Sequence, residues 1–414
     1  MNMQKSPAYP LYLALTFCNA LFFSMIFVVA SYYEATVAGL TGLQLVLVGT
    51  TLEVVILLFE VPTGIVADAY SRRLSVIIGY AIMGLGFIIE GLFPYFGTIL
   101  LASGLWGLGY TFTSGATQAW LSDEIGEDNA NRAFLRANQF DLAGALLGML
   151  IAIPLGNIAV NLPILAGGLC VALIAVALAL LMPETGFAPV RPEDRNTWQH
   201  MGDLFRKGLA AVRQRPALMA VLGVGLIYGL YSEGWDRLWV KYLVDTFQIP
   251  HIFGMNDVAF FGLLRAGGML LSILVTREVE KRLDAAHAPS IAKAMFWLTG
   301  LLTLGIFSFA FAPVLAVAVA AVWLVSLTRN VLGPLYDAWV NQRLDSETRA
   351  TVISMSGQVD AIGQIASGPL AGLVSLWSVQ AAIAFASLLI APALPLIRRA
   401  NRLHSVPTES AVAD

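Results

Sequence analysis

Charged residues are scarce in this sequence. Only 12% of its 414 residues are Asp, Glu, Lys or Arg, whereas a soluble protein carries about 25%. The net charge is −3 and no long basic run occurs, so nucleic acid is not expected as a partner. The two cysteines, Cys18 and Cys170, both lie in apolar runs, so metal ligation by them is not expected.

Familiar catalytic patterns are also missing. All four histidines fall in predicted loops or tails. The apolar segments hold no His-x-x-x-His, Glu-x-x-His or Gly-x-Ser-x-Gly pattern, and the chain has no Walker A motif. These absences disfavour an enzyme and direct coupling to ATP, and they predict neither a metal nor a cofactor. A membrane enzyme or a non-transporting receptor stays as the alternative from another class.

What the chain has in abundance is long apolar runs. Its residues are 58% hydrophobic, with a mean hydropathy of +0.75. Runs of about 20 residues predict membrane helices, because only helices or closed barrels satisfy backbone groups in hydrocarbon and these runs are too long for barrel strands. The fold class expected is an all-α membrane protein with twelve transmembrane helices. The predicted spans are 9–33, 41–66, 73–93, 97–121, 133–155, 161–182, 217–246, 256–276, 291–311, 314–340, 351–374 and 377–397.

The basic residues predict the orientation of these spans. All but four of the 24 Lys and Arg residues fall at the termini or in the alternate loops that share their side; the four exceptions, which lie within spans, are Arg237, Lys241, Arg265 and Arg329. The positive-inside rule then places both termini in the cytoplasm. The opening stretch MNMQKSPAYP leads into the first membrane helix, with a cleaved signal peptide as the alternative.

One long polar stretch divides the spans into two sets of six. The predicted organisation is an N-terminal six-helix bundle (1–182), a cytoplasmic linker (183–216) with an amphipathic helix near 198–213, a C-terminal bundle (217–400) and a cytoplasmic tail (401–414). The halves also repeat each other at an offset of 219 residues. Ala119, Trp120, Gln139, Asp141 and Gly144 in the first half match Ala338, Trp339, Gln358, Asp360 and Gly363 in the second. Two six-helix repeats are a known transporter plan.

The segment FEVPTGIVADAYSRR, residues 59–73, carries an unusual set of charges at the end of the second span. Glu53, Glu60, Gly64 and Asp68 share one helix face, where the glycine would let another helix approach closely.

Gly64, Asp68, Arg72 and Arg73 in this segment resemble the loop motif of the major facilitator superfamily, G-x-x-x-D-x-x-G-R-R/K, with Ser71 in place of its glycine. The resemblance implies that fold, with two pseudo-symmetric six-helix bundles and alternating access. It also implies a gate in which Arg72 pairs with Asp123. In that gate Asp68 meets the start of the eleventh span. This start is the segment TVISMSGQVD, residues 351–360, whose last residue is Asp360.

A narrower resemblance is to bacterial drug exporters of the tetracycline- and macrolide-efflux type. It rests on FEVPTG, on SGATQAWLSDE and on the glycine-proline pattern GQIASGPLAG in the eleventh span. That pattern usually occupies the fifth span, and Ser103 stands where proton-coupled members carry an arginine. The resemblance implies a monomeric exporter of small amphipathic molecules in a bacterial inner membrane, surrounded by lipid and driven by the proton gradient.

The ionisable residues considered as functional candidates are seven that fall well inside predicted spans, where each costs about 2.5–3.5 kcal/mol near a helix centre. The candidate proton carriers are Glu53, Glu60, Glu233 and Asp236. The arginines Arg237, Arg265 and Arg329 are candidate cavity residues, with Glu233–Arg237 and Asp236–Arg265 expected as pairs. Ion pairs that only fix helix register are the structural alternative.

Polar and aromatic residues in the spans supply further cavity candidates. Thr111, Ser114 and Gln118 form a predicted stripe on the fourth span, and Asn330 and Asp337 form another on the tenth. Tyr110, Tyr231 and Trp235 are aromatic candidates for contact with a flat, amphipathic substrate. Hydrogen bonding between helices and packing at the interface are the alternatives.

The function predicted from the sequence is therefore proton-coupled export by a secondary transporter. A proton symporter for a nutrient or an anion, with Arg237, Arg265 or Arg329 as the counter-charge, is the alternative within the same fold.

Overall fold

The structure is a computed structural model that describes residues 6–188, 206, 212–213, 215–282, 288–341 and 346–404. Within these ranges, the backbone alone is described at 280, 282, 288, 346–351, 354 and 404. The predicted amphipathic helix near 198–213 and the predicted tail therefore lie almost entirely outside the described residues.

Every regular element among the described residues is helical. The fourteen α-helices are α1 (Ala8–Thr36), α2 (Gly42–Ala69), α3 (Arg72–Leu92), α4 (Phe96–Thr113), α5 (Ala116–Ile125), α6 (Glu127–Ile158), α7 (Leu162–Leu181), α8 (Pro216–Thr246), α9 (Asp257–Arg282), α10 (Ala288–Ala310), α11 (Leu315–Asn341), α12 (Ser346–Ser375), α13 (Val379–Ile390) and α14 (Ala393–His404). A short 3-10 turn at Ile252–Gly254 precedes α9.

The described helices have the length and composition of membrane spans. Ten segments are long and apolar enough to cross a bilayer, with α13 and most of α14 counted as one segment. The predicted fourth and eleventh spans correspond to α4 and α12, which are less apolar than those ten. The all-α membrane fold predicted from the hydropathy pattern is confirmed.

The predicted fourth span is not one helix. α4 ends at Thr113 and α5 begins at Ala116, because Gly115 adopts a positive φ of 71° that a helix cannot contain. A second glycine with positive φ, Gly126, separates α5 from α6. The loop expected between the fourth and fifth spans is thereby reduced to a single residue, and α6 begins six residues before the predicted span.

The predicted last span is also interrupted. α13 ends at Ile390 and α14 begins at Ala393. Pro392 lies in the break, where its missing N–H would leave a helical carbonyl without a donor.

The described chain divides into two compact units. The first unit comprises Met1–Asn196 and Ile249–Ala266, and the second comprises Thr197–Gln248 and Gly267–Asp414. In the first, α1 packs on α6, and α3 packs on α7 and α4. In the second, α12 packs on α8, and α10 packs on α11.

The sequence repeat corresponds to equivalent packing inside each unit. A Cβ on Gly144 of α6 would collide with the Phe17 carbonyl of α1, and a Cβ on Gly363 of α12 would collide with the Leu226 carbonyl of α8. Both glycines therefore let two helix backbones approach closely. The repeated tryptophans are buried as well, since Trp120 and Trp339 are each 1% exposed.

Substituting these glycines should destabilise the fold. Gly144→Ala and Gly363→Ala each place a methyl group against a backbone carbonyl, and overpacking of this kind costs about 1–3 kcal/mol. Gly300→Ala is the matched control, because a Cβ there meets no described atom within 4 Å. Thermal unfolding of the purified variants in detergent should show losses for the first two only. A melting temperature unchanged in Gly363→Ala would contradict the close approach.

Candidate functional site

The second unit contains a cavity of about 690 Å³ between α8, α11 and α12. Its polar and aromatic lining residues are Tyr228, Tyr231, Ser232, Asp236, Arg329, Tyr336, Asp337, Asn341, Ser356, Asp360 and Gln364. Its volume lies within the range of roughly 300–1,000 Å³ typical of small-molecule sites.

An ion pair crosses this cavity from α8 to α11. The Arg329 guanidinium donates to both carboxylate oxygens of Asp236, with Nη2 at 2.9 Å from Oδ2. Arg329 also lies over the Tyr231 ring at 5.8 Å from its centroid. Asp236 is thus bound by Arg329, and the expected Asp236–Arg265 pair stays a prediction. Arg329 itself faces a cavity as expected, but with a carboxylate partner that its sequence position did not reveal.

Asp360 belongs to this cavity rather than to a helix start. α12 begins at Ser346, so Asp360 lies well inside the helix and lines the cavity. Its Oδ2 accepts a hydrogen bond from Gln364 Nε2 at 2.9 Å. Asp360 is therefore farther from the start of the eleventh span than expected, because α12 begins before the apolar residues that predicted the span. Its place in the loop-motif gate stays a prediction.

Several predicted site residues in the second unit lie in the packed interior. Glu233, 2% exposed, accepts a hydrogen bond from Arg237 Nε at 3.1 Å, as the spacing predicts. Trp235 packs on Phe309, with ring centroids 5.0 Å apart. These three residues are absent from the described lining of the cavity, which fits the structural reading of the Glu233–Arg237 pair.

Asn330 is exposed and is not among the described lining residues of the cavity. Its Nδ2 donates to Ser272 Oγ at 2.8 Å and so joins α11 to α9. Asp337, its predicted stripe partner, does line the cavity.

The first unit contains a separate cavity of about 650 Å³. Tyr110, Gln118 and Arg265, three of the predicted cavity residues, line it together with Asp141. Its other aromatic lining residues are Tyr12, Phe23, Phe27, Tyr80 and Trp106. Asp141 matches Asp360 in the sequence repeat, so each unit presents a repeat-related carboxylate to its own cavity.

The predicted polar stripe on the fourth span is not continuous, because the helix is interrupted at Gly115. Ser114 and Gln118 line the first-unit cavity. Thr111 is buried instead, and its hydroxyl donates to the Leu108 carbonyl at 2.7 Å. Helical spacing cannot hold across a residue with positive φ, which explains the difference.

The acids predicted on α2 lie elsewhere. Glu53 is half-buried and Glu60 is exposed, and neither lines either described cavity. A Cβ on Gly64 would meet no described atom within 4 Å, so the predicted close approach of another helix is not found among the described residues.

The loop motif after α2 forms a compact ionic cluster in the first unit. Arg72 pairs with Asp123 at the end of α5 and lies 3.8 Å from Asp68. The Phe187 ring covers the Arg72 guanidinium at 5.9 Å. Burial raises the pKa of Asp123 above its ordinary value, against the opposing effect of Arg72.

The segment after α7 completes this cluster, and sequence reasoning missed it. Glu184 accepts hydrogen bonds from Ser71 Oγ at 2.7 Å and from the Arg73 backbone N–H at 3.0 Å. Ser71, which replaces the usual glycine of the motif, also caps α3 by accepting from the Leu74 N–H at 2.9 Å. The Arg73 side chain donates to the Ala179 carbonyl.

Glu124 fixes the same segment from α5. This acid is 5% exposed and accepts hydrogen bonds from Thr185 Oγ1 at 2.8 Å and from the Gly186 N–H at 2.7 Å. Trp120 donates its indole N–H to the Pro183 carbonyl at 2.6 Å. The only sequence feature that could have indicated this contact is the acid Glu184 directly after the apolar residues of α7. Its partner Arg73 lies 111 residues earlier, so the contact could not be inferred.

Helices long and apolar enough to span a membrane, packed around cavities lined by charged and aromatic side chains, are typical of one class of protein, the polytopic solute transporter. The family model described as Major Facilitator Superfamily matches residues 12–286. The chain belongs to the Major Facilitator Superfamily and is a multi-pass membrane transporter.

Individual relatives agree with this assignment. The uncharacterized MFS-type transporter YxaM of Bacillus subtilis (strain 168) is 21% identical over 336 residues, which cover 80% of this chain and 81% of YxaM. Among solved structures, a point mutant of the nucleoside transporter NupG superposes with a TM-score of 0.75 at 14% identity, covering 95% of this chain and 99% of NupG.

A POT family transporter in complex with 5-aminolevulinic acid superposes with a TM-score of 0.74 at 13% identity, covering 96% of this chain and 97% of that one. At these identities the structural likenesses show the fold alone. The family match is at the level of the superfamily, so the drug-exporter branch remains a prediction.

Removing the Glu124 carboxylate should destabilise the first unit. Glu124→Ala removes the acceptor of the Thr185 and Gly186 backbone N–H groups and of the Thr185 hydroxyl, and each buried group left unsatisfied costs about 1–3 kcal/mol. Glu127→Ala is the matched control, because Glu127 is exposed in the first turn of α6 and its loss costs about 0.3–1 kcal/mol. Thermal unfolding in detergent measures both. Equal losses would show that Glu124 does not fix the segment.

Proposed function

We propose that this protein is a secondary active transporter that works by alternating access and exports amphipathic, drug-like compounds in exchange for protons. The observation that carries the proposal is the pair of aromatic cavities, one in each unit, each with a repeat-related carboxylate, Asp141 or Asp360. Rings supply apolar contact for a flat molecule, and a carboxylate supplies a group that can take up and release a proton.

The cavity carboxylates replace the acids of α2 as the proposed proton carriers. A carrier has to be reached by both water and substrate, and Asp141 and Asp360 line cavities whereas Glu53 and Glu60 do not. Glu233 is held by Arg237, and Asp236 by Arg329. These two acids are therefore assigned to ion pairs that fix the helices.

The energetics of one exchanged proton are sufficient for export. A proton that crosses 100 mV releases about 2.3 kcal/mol. At about 1.4 kcal/mol per tenfold change, this supports a gradient of roughly 40-fold for a neutral solute. One titrating carboxylate is thus adequate, and no cofactor enters the scheme.

The cluster of Asp68, Arg72 and Asp123 is the proposed cytoplasmic gate. The Phe187 ring covers Arg72, and Glu184 binds the neighbouring Ser71 hydroxyl and Arg73 backbone N–H, so the segment after α7 is assigned to the same gate. We place both termini in the cytoplasm of a bacterial cell, on the positive-inside distribution of Lys and Arg. The protein is proposed to act as a monomer.

Everted membrane vesicles distinguish export from import. With antiport, adding a substrate from a dye and antibiotic panel to energised vesicles should release the stored protons and load the vesicles, and a protonophore should abolish the loading. A proton symporter for a nutrient would not release the stored protons. Substrate accumulation that ignores the protonophore would contradict proton coupling.

Neutralising the cavity carboxylates should uncouple transport. Asp360→Asn and Asp141→Asn should each lower protonophore-sensitive accumulation by about tenfold or more, since general acid–base groups contribute roughly 10²–10⁴-fold where they act. Asp128→Asn is the matched control, because Asp128 is exposed in the first turn of α6. Full proton-driven accumulation in the Asp141→Asn, Asp360→Asn double variant would remove both residues from the coupling mechanism. Glu53→Gln would then be tested in turn.

A further inference from the structure

We propose that the second-unit cavity binds an organic cation, with Asp360 as the carboxylate that faces the positive group and Tyr228, Tyr231 and Tyr336 as its aromatic walls. This inference names the substrate class of the transport activity proposed above and therefore rests on it. It is carried by the charge balance of the cavity and by the arrangement of its rings.

The charge balance favours a cation. Of the described residues that line the cavity, Arg329 is the one cation, whereas Asp236, Asp337 and Asp360 are acids. Asp236 accepts from both terminal nitrogens of the Arg329 guanidinium in a bidentate pair, one of the stronger geometries for an Arg–carboxylate contact. The remaining two acids therefore leave the lining with a surplus of negative charge.

An anion would meet the opposite situation. To reach Arg329 it would have to displace the Asp236 carboxylate and approach Asp360 as well. Breaking such a pair and placing like charges together are both unfavourable in a partly desolvated site. Arg329 therefore acts as a structural partner of Asp236, and it is not the group that binds substrate.

Two of the tyrosines, Tyr228 and Tyr336, offer ring faces rather than hydroxyls. The Tyr228 and Tyr231 rings meet edge to face, with centroids 6.4 Å apart, and the Tyr228 and Tyr336 rings meet in the same way at 5.8 Å. The Tyr228 hydroxyl is bonded to Thr299 Oγ1 at 2.7 Å, and the Tyr336 hydroxyl accepts from Ser356 Oγ at 3.1 Å. With these hydroxyls engaged in the protein, what the two rings present to a ligand is their π-systems.

One of these rings already holds a cation. The Arg329 guanidinium carbon lies 5.8 Å from the Tyr231 centroid, within the distance of about 6 Å at which a cation is attracted to an aromatic face. Several rings with a nearby carboxylate are the recurring means by which proteins bind quaternary ammonium groups. The second-unit cavity has both components.

The first-unit cavity differs in this respect. Its described lining includes one acid, Asp141, and one arginine, Arg265. The formal charges of these two lining residues cancel, so the first-unit cavity has aromatic rings but no excess negative charge. The preference for a cation is assigned to the second unit alone.

Binding of two ions with the same shape and opposite charge tests the inference. The probes are tetraphenylphosphonium and tetraphenylborate, each measured separately by equilibrium dialysis against the purified full-length chain in detergent. Wild type should bind tetraphenylphosphonium about tenfold more tightly than Asp360→Asn does, whereas tetraphenylborate binding should be equal in the two proteins or tighter in the variant. Asp128→Asn should match wild type with both probes.

Further variants separate charge from packing. Asp360→Glu keeps the carboxylate and should retain most of the tetraphenylphosphonium affinity, whereas Tyr228→Phe keeps the ring and should bind like wild type. Tyr228→Leu removes the ring and should weaken binding several-fold. Thermal unfolding of each variant confirms that the compared proteins are folded.

Three results would overturn the inference. They are equal tetraphenylphosphonium binding in wild type and Asp360→Asn, a loss confined to Asp337→Asn, and a tetraphenylborate affinity that falls together with that of the phosphonium ion. Because binding is measured without a gradient, it is separable from the proposed function. Bound but untransported phosphonium would reject the export proposal alone, and proton-driven export of neutral compounds without phosphonium binding would reject this inference alone.

Discussion

A charge placed among membrane helices is costly unless a partner of opposite sign lies within reach, and this requirement organises both units of the protein. Arg329 of α11 and Asp236 of α8 neutralise each other across the second-unit cavity. Glu233 and Arg237 do the same one turn apart within α8. At the start of α3, Arg72 lies between Asp68 and Asp123. Each pair fixes the position of one helix relative to its neighbours or of one turn relative to the next.

Once these pairs are formed, the charges that remain define the chemistry of the cavities. Asp360 lines its cavity with only Gln364 of its own helix as a described hydrogen-bond donor. Its repeat-related counterpart Asp141 lines a cavity that also holds Arg265. The two units thus share a duplicated framework, with glycines at Gly144 and Gly363 that let helices approach closely, but they offer different surroundings to a ligand. Divergence of side chains on a common backbone plan is how one superfamily fold serves many solutes.

The fold was largely predictable because hydropathy is a local property. A run of about 20 apolar residues has few alternatives to a membrane helix, and the spans predicted from such runs coincide with described helices. The exceptions have local causes of their own. Gly115 ends α4 because it adopts a positive φ, and α6 extends past its apolar part because polar residues continue a helix readily outside the hydrocarbon.

The candidate site was predictable only where partners lie close in sequence or follow a known spacing. The Glu233–Arg237 pair follows from the i, i+4 relation, and the loop motif gave the residues of the Arg72 cluster. Arg329 was not recognised as a partner of Asp236, because the two residues lie 93 positions apart along the chain. Glu184 and Glu124 were missed since their contacts join residues far apart along the chain.

By itself, therefore, the sequence determined the class of fold, the repeat and the set of side chains capable of chemistry, because composition and periodicity are properties of neighbouring residues. Only the tertiary structure decided that Asp236 is bound by Arg329, that Asp360 faces a cavity and that Glu60 does not line one. Those outcomes depend on which helix faces come together, and that is settled by packing between segments that lie far apart along the chain, such as Asp236 and Arg329, 93 residues apart.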